Sequence, residues 1–129
     1  MIDVVERALR NAELPPLTWY DVLWALRSAP NRRLRMGELA ESVTLSRGGL
    51  TKLVDRIEAE GLLRREACSS DRRGYDAVLT RSGADMLRRM WPVYAGVLQD
   101  EFVAVLSDEE AQHLAELLGR FARSLARPA

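Results

Sequence analysis

Apolar residues spaced three and four apart dominate this chain, and the spacing changes to strand-like runs in one region only. Ile2, Val5, Leu9 and Ala12 mark a first short helix, which Pro15-Pro16 ends by restricting the backbone. Trp19, Val22, Leu23 and Leu26 form the buried stripe of a second helix. Thr18 with Asp21 has the spacing of a capping box at its start, and Ala29-Pro30-Asn31 stops it. Met36, Leu39, Ala40 and Val43 repeat the pattern over a shorter helix, and it restarts after Thr44-Leu45 in Leu50, Leu53, Val54 and Ile57. Two short amphipathic helices joined by a tight turn make a helix-turn-helix. Gly61 is placed to close the second, followed by apolar Leu62.

Residues 62–67 and 75–79 then read as two strands around the polar loop Ser69 to Gly74. Thr80 is placed to cap a long helix with the stripe Leu87, Trp91, Tyr94, Leu98, Phe102 and Val105, which Pro92 should kink or relieve of one turn of hydrogen bonds. Ser107 and Glu110 form a capping box for a last helix striped by Leu114, Leu117, Leu118, Phe121 and Leu125. The expected fold is mainly α with a small β-hairpin wing: a winged helix-turn-helix over residues 17–80, with dimerisation helices at 1–14 and 81–126, in one domain.

Placed on a helical wheel, residues 46–60 divide cleanly. Leu50, Leu53, Val54 and Ile57 take one side, and Gly48, Thr51, Lys52 and Asp55 take the other, with Arg47 and Arg56 on the flanks. A helix that enters the major groove needs such a packed back and a front able to reach base edges. Ser46 is the expected N-cap, leaving backbone N–H groups to meet a phosphate. Gly48-Gly49 has two readings, a close approach of backbone to DNA or a loosely wound first turn. The hairpin turn Asp71-Arg72-Arg73-Gly74 projects two arginines, suited to a narrow minor groove, with Asp71 orienting Arg73.

Net charge is zero, which on its own speaks against nucleic acid, but the charge is unevenly distributed. Residues 27–73 carry 11 basic and 7 acidic side chains, while both ends are acidic. Local charge decides phosphate binding, so the central part stays a candidate. One cysteine excludes an internal disulfide and a cysteine-based zinc site, and neither metal nor cofactor is expected. No apolar run approaches the roughly 20 residues that cross a bilayer, and no signal-peptide pattern opens the chain, so a cytoplasmic protein is expected. An enzyme would have only Cys68 and His113 as a nucleophile and base, on different elements, and is set aside. Cys68, near Arg64 and Arg65 in sequence, is either an inert thiol or a redox switch beside the wing. His113 reads as an exposed or interfacial side chain.

The segments LTWYDVLWAL (17–26), LRMGELAESVTLSRGGLTKLVDRIEAEGLLRRE (34–66) and DRRGYDAVLTRSG (71–83) resemble the MarR family of winged-helix regulators. The spacing of Asp71, Arg73, Leu79 and Thr80 is the most specific part. The resemblance covers about residues 17–126 and implies a homodimeric transcriptional regulator, commonly a repressor relieved by a small ligand. It implies contacts to a pseudo-palindromic duplex from Arg47, Thr51, Lys52, Arg56 and Arg73. In such proteins the cleft between the second and the long helix often admits aromatic effectors, which makes Tyr20, Trp24, Met90 and Trp91 pocket candidates beside the plainer reading of core packing. Two departures stand out: the first helix is shorter than is usual, and Gly48-Gly49 replaces the more usual serine or threonine. Ile2, Val5, Leu9, Phe102, Leu114, Leu117, Leu118, Phe121 and Leu125 are the expected dimer contacts, since a monomer would leave the terminal stripes partly uncovered. A winged-helix protein-interaction module without DNA binding is the alternative.

Overall fold

A computed structural model describes residues 1–43, 47–68 and 74–125, with only the backbone of Arg47. The elements are α1 (Ile2–Asn11), α2 (Leu17–Ser28), β1 (Arg33–Arg35), α3 (Met36–Val43), α4 (Arg47–Ala59), β2 (Leu63–Ala67), β3 (Tyr75–Leu79), α5 (Arg81–Glu101) and α6 (Asp108–Leu125). The main core joins α2, α3, α4 and the start of α5 to one face of the sheet through Val22, Leu23, Leu26, Leu39, Leu50, Val54, Ile57, Leu63 and Leu87. These are the stripes expected for α2, α3 and α4, so periodicity alone placed the helix-turn-helix core.

Helix ends follow their caps closely. Gly61 takes φ +75, its N–H donates to the Glu58 carbonyl, and the Leu62 N–H donates to the Ile57 carbonyl. That pair of bonds is a Schellman motif, which stops α4 and turns the chain into β2. Thr80 caps α5 by accepting from the Gly83 N–H at 3.1 Å. Ser107 and Glu110 exchange the two bonds of a capping box at α6. The Glu110 carboxyl is lowered from its ordinary value, first by accepting the Ser107 backbone N–H.

Several expectations need correction. The capping box at Thr18 is absent: α2 begins at Leu17, whose N–H donates to Glu6 Oε1 at 2.8 Å, so a carboxylate from α1 does the capping. A third strand, β1, pairs antiparallel with β3, giving the order β1-β3-β2. Val5 and Leu9, expected at a dimer contact, are buried within the chain against Met90, expected in a ligand pocket. The inner stripe of α5 is Gly83, Ala84, Leu87 and Met90, whereas Trp91 on the adjoining face is exposed. Phe102 and Val105 lie beyond the end of α5, in its C-cap and a short 3-10 turn. Pro92 sits inside α5 without ending it.

Gly83 marks the tightest joint. A Cβ there would overlap the Leu62 carbonyl oxygen and the Leu79 side chain, so only glycine lets α5 start against the end of α4. Gly83→Ala should lower stability by about 1–3 kcal/mol in urea unfolding, the usual cost of overpacking. Gly96→Ala, with open space around its Cβ, should instead raise it by up to about 1 kcal/mol. Equal midpoints for the two variants would contradict the close approach.

Candidate nucleic-acid interface

The amphipathic division of α4 is realised in the fold. Leu50, Leu53, Val54 and Ile57 are buried, while Gly48, Thr51, Lys52, Asp55 and Arg56 are exposed. Among the described residues, no atom outside the helix's own neighbouring backbone lies within 4 Å of where a Gly48 Cβ would stand, so none of them requires glycine there. Lys52 and Arg56 have no ion-pair partner among the described residues. Ser46, Asp71, Arg72 and Arg73, and the side chain of Arg47, lie outside the described residues.

The one acid on this exposed front, Asp55, is neutralised by Arg65 of β2. The same guanidinium holds Glu58 at 2.8 and 3.1 Å, and the Arg65 backbone N–H donates to Glu58 at 2.7 Å. One arginine therefore fixes the turn from α4 into the hairpin and screens the acids beside it. The sequence offered no signal for this: Arg64 and Arg65 are adjacent and alike, and only strand alternation turns Arg65 toward α4 while Arg64 pairs with Glu66.

On the opposite sheet face Arg33 of β1 reaches Asp76 of β3 at 3.0 Å and Glu66 of β2 at 3.1 Å, an ion-pair network across all three strands. Among the described residues Arg35, rather than the expected Arg64 or Arg65, reaches Cys68, with Nη2 3.3 Å from Sγ. At the base of the wing the Cys68 N–H donates to the Gly74 carbonyl at 3.0 Å, closing the hairpin below its tip.

A second cluster lies between α2 and α5. Tyr20 stacks on Trp24 at 6.3 Å, Tyr94 at 5.4 Å and Trp91 at 6.4 Å. Three of the four pocket candidates thus come together, while Met90 lies beneath in the core. Trp24 is 54% exposed and Trp91 48%. The Tyr20 hydroxyl is raised above its ordinary pKa by burial, then by Tyr94 and Asp21. Helix α6 has no buried residue at all, and Leu118 and Phe121 are 57% and 61% exposed. His113 is exposed.

The solved structure of Sco3205 from Streptomyces coelicolor, a MarR family transcriptional regulator crystallised in complex with DNA, shares 35% identity with this chain at a TM-score of 0.80. The likeness covers 99% of this chain and 82% of that one. The chain belongs to the MarR family of transcriptional regulators. The family profile, described as MarR family, matches residues 14–74, the span from α2 to the base of the wing. AbsC, a MarR family regulator from the same organism, is 31% identical with a TM-score of 0.78, over 97% of this chain and 84% of that one. The transcriptional regulator MhqR of Bacillus subtilis is 35% identical over 83 residues, which are 64% of this chain but 57% of MhqR. The chain thus spans less than two thirds of that curated relative's length. The described residues contain no helix long and apolar enough to cross a membrane.

The Arg65 clamp has a pH signature. Glu58 is lowered from its ordinary value chiefly by accepting the Arg65 backbone N–H, then by the guanidinium. A carboxyl lowered in the folded state adds stability above its unfolded value and loses it as pH falls through the folded one. Glu58→Gln should therefore be less stable than the parent at neutral pH, by at most about 1 kcal/mol for so exposed a pair. The gap should close in acid below the carboxylate range. A gap of constant size in urea midpoints across that range would contradict the clamp.

Proposed function

We propose that this MarR-family chain is a sequence-specific regulator of transcription that binds double-stranded DNA as a homodimer, acts as a repressor, and releases its operator on binding a small aromatic ligand. The observation that carries the reading is the front of α4, where small and cationic side chains lie exposed and the one acid, Asp55, is held by Arg65. In this reading Ser46, Arg47, Gly48, Thr51, Lys52 and Arg56 face the major groove and its phosphates. Arg72 and Arg73 reach the minor groove, with Asp71 orienting Arg73. Residues 17–80 serve as the DNA-reading part.

The pairing reading rests on the uncovered apolar stripe of α6. Leu117, Leu118, Phe121 and Leu125 are exposed, and Ile2 and Phe102 add to the same kind of surface. Two such stripes would cover each other, with half-buried Leu114 at the edge. Two copies would set their α4 helices about 34–36 Å apart, one turn of duplex. The aromatic cluster of Tyr20, Trp24 and Trp91 would receive the effector. A cytoplasmic, non-catalytic protein completes the reading.

Salt dependence tests DNA binding directly. Affinity for an operator duplex, read by fluorescence anisotropy, should fall steeply with salt as counterions are released, and Lys52→Ala should flatten the log–log slope by about one. Arg73→Ala should weaken binding with the thermal midpoint nearly unchanged. Absence of duplex affinity would leave a protein-interaction module as the better reading.

Gly48 separates the two explanations of the glycine pair. Gly48→Ala should raise stability by up to about 1 kcal/mol, since alanine is the better helix former and its Cβ meets only open space. It should weaken DNA binding if backbone approach matters. Higher stability with undiminished affinity would assign Gly48 to a loose first turn.

A further inference from the structure

A cleft of about 610 Å³ lies between the outer side of α2 and the end of α3, apart from the front of α4 and from the wing. That volume falls within the usual range for small-molecule sites. Its lining combines Asp21, Trp24, Ala25, Ser28, Leu34 and Val43. Among the described residues that line it, Asp21 carries the only formal charge.

Asp21 is poorly compensated. It has no ion-pair partner among the described residues, and the carboxylate that caps α2, Glu6, adds to the negative field around it. Burial, and then Glu6, raise the Asp21 carboxyl above its ordinary value, the behaviour of a carboxylate short of positive charge. Beside it stands the indole of Trp24, more than half exposed although it belongs to the aromatic stack. An indole face attracts a cation within about 6 Å of its centre, more strongly once water is excluded. Ala25, Leu34 and Val43 supply apolar surface for the body of such a ligand, and Ser28 a hydroxyl.

We infer that the cleft between α2 and α3 is a binding site for a small organic cation, an ammonium group carried on an apolar body, with Asp21 as counter-ion and Trp24 as its aromatic wall. An anionic aromatic acid is disfavoured there, because Asp21 and Glu6 both repel it. The site shares Trp24 with the aromatic cluster but opens on the α3 side of α2, without Tyr20 or Trp91, and so goes beyond the effector reading above. Its recognition needs no DNA, so its failure and the failure of the DNA reading are distinguishable.

Calorimetric titration of the full chain without DNA tests the inference, with benzyltrimethylammonium as the probe and benzoate and benzyl alcohol as matched anionic and neutral compounds. The cation should give saturable heat in the millimolar range or below, and benzoate none. Asp21→Asn should weaken the cation by about tenfold or more, as expected for loss of a charged partner, and Trp24→Leu should weaken it as well. Both positions are exposed, and thermal midpoints near the parent's would show that the variants fold. The inference is overturned by absence of saturable heat, by benzoate binding as tightly as the cation, or by cation affinity that neither substitution changes.

Discussion

Two consecutive carbonyls, those of Gly61 and Leu62, tie together the end of α4, the end of β3 and the start of α5. The Thr80 hydroxyl donates to the Gly61 carbonyl at 2.6 Å, and the Thr80 N–H donates to the Leu62 carbonyl at 3.3 Å. The same hydroxyl accepts from the Gly83 N–H and so caps α5. The end of α4, the end of β3 and the start of α5 therefore meet at one point. The glycine φ at residue 61 and the missing Cβ at residue 83 both serve that meeting. Removing either would shift α4 against the hairpin.

Electrostatics then explains how a chain of zero net charge leaves Lys52 and Arg56 uncompensated among the described residues. Several acids of α4 and the sheet are held by intramolecular partners: Asp55 and Glu58 by Arg65, and Glu66 and Asp76 by Arg33. Such half-exposed pairs add little stability. Their effect is on the field: the Arg65 pairs neutralise the acids of α4, on which Lys52 and Arg56 lie exposed, and the Arg33 pairs do the same on the other face of the sheet. The acidic excess sits in the terminal parts, away from α4 in sequence.

Local rules made much of this legible before any coordinates. The stripe of α4, the Gly61 stop, the Thr80 cap and the Ser107–Glu110 box each depend on residues within one or two turns, and each stands in the fold as read. What local rules missed depends on distant partners. Strand β1 is three residues long, too short for alternation to speak, and exists because β3 offers it an edge. Glu6 rather than Thr18 caps α2, a choice made by the packing of α1. Val5 and Leu9, expected at a dimer contact, and Met90, expected in a ligand pocket, pack together inside the chain, because an apolar stripe does not say which of two surfaces will cover it. The role of Arg65 is invisible to local pattern because its partners, Asp55 and Glu58, lie on another element. The wing tip and Ser46 are outside the described residues, so that part of the site rests on sequence alone.

The central claim is that α4 and the hairpin form one reading head, used twice by a symmetric pair. Selection of bound fragments from random duplex DNA, followed by hydroxyl-radical footprinting of the selected site, tests it most directly. The account predicts an inverted repeat with half-sites centred about 10–10.5 base pairs apart, or a multiple of that spacing, and protection of both major-groove faces and the flanking minor grooves. A single unrepeated site, or failure to enrich any sequence, would contradict it.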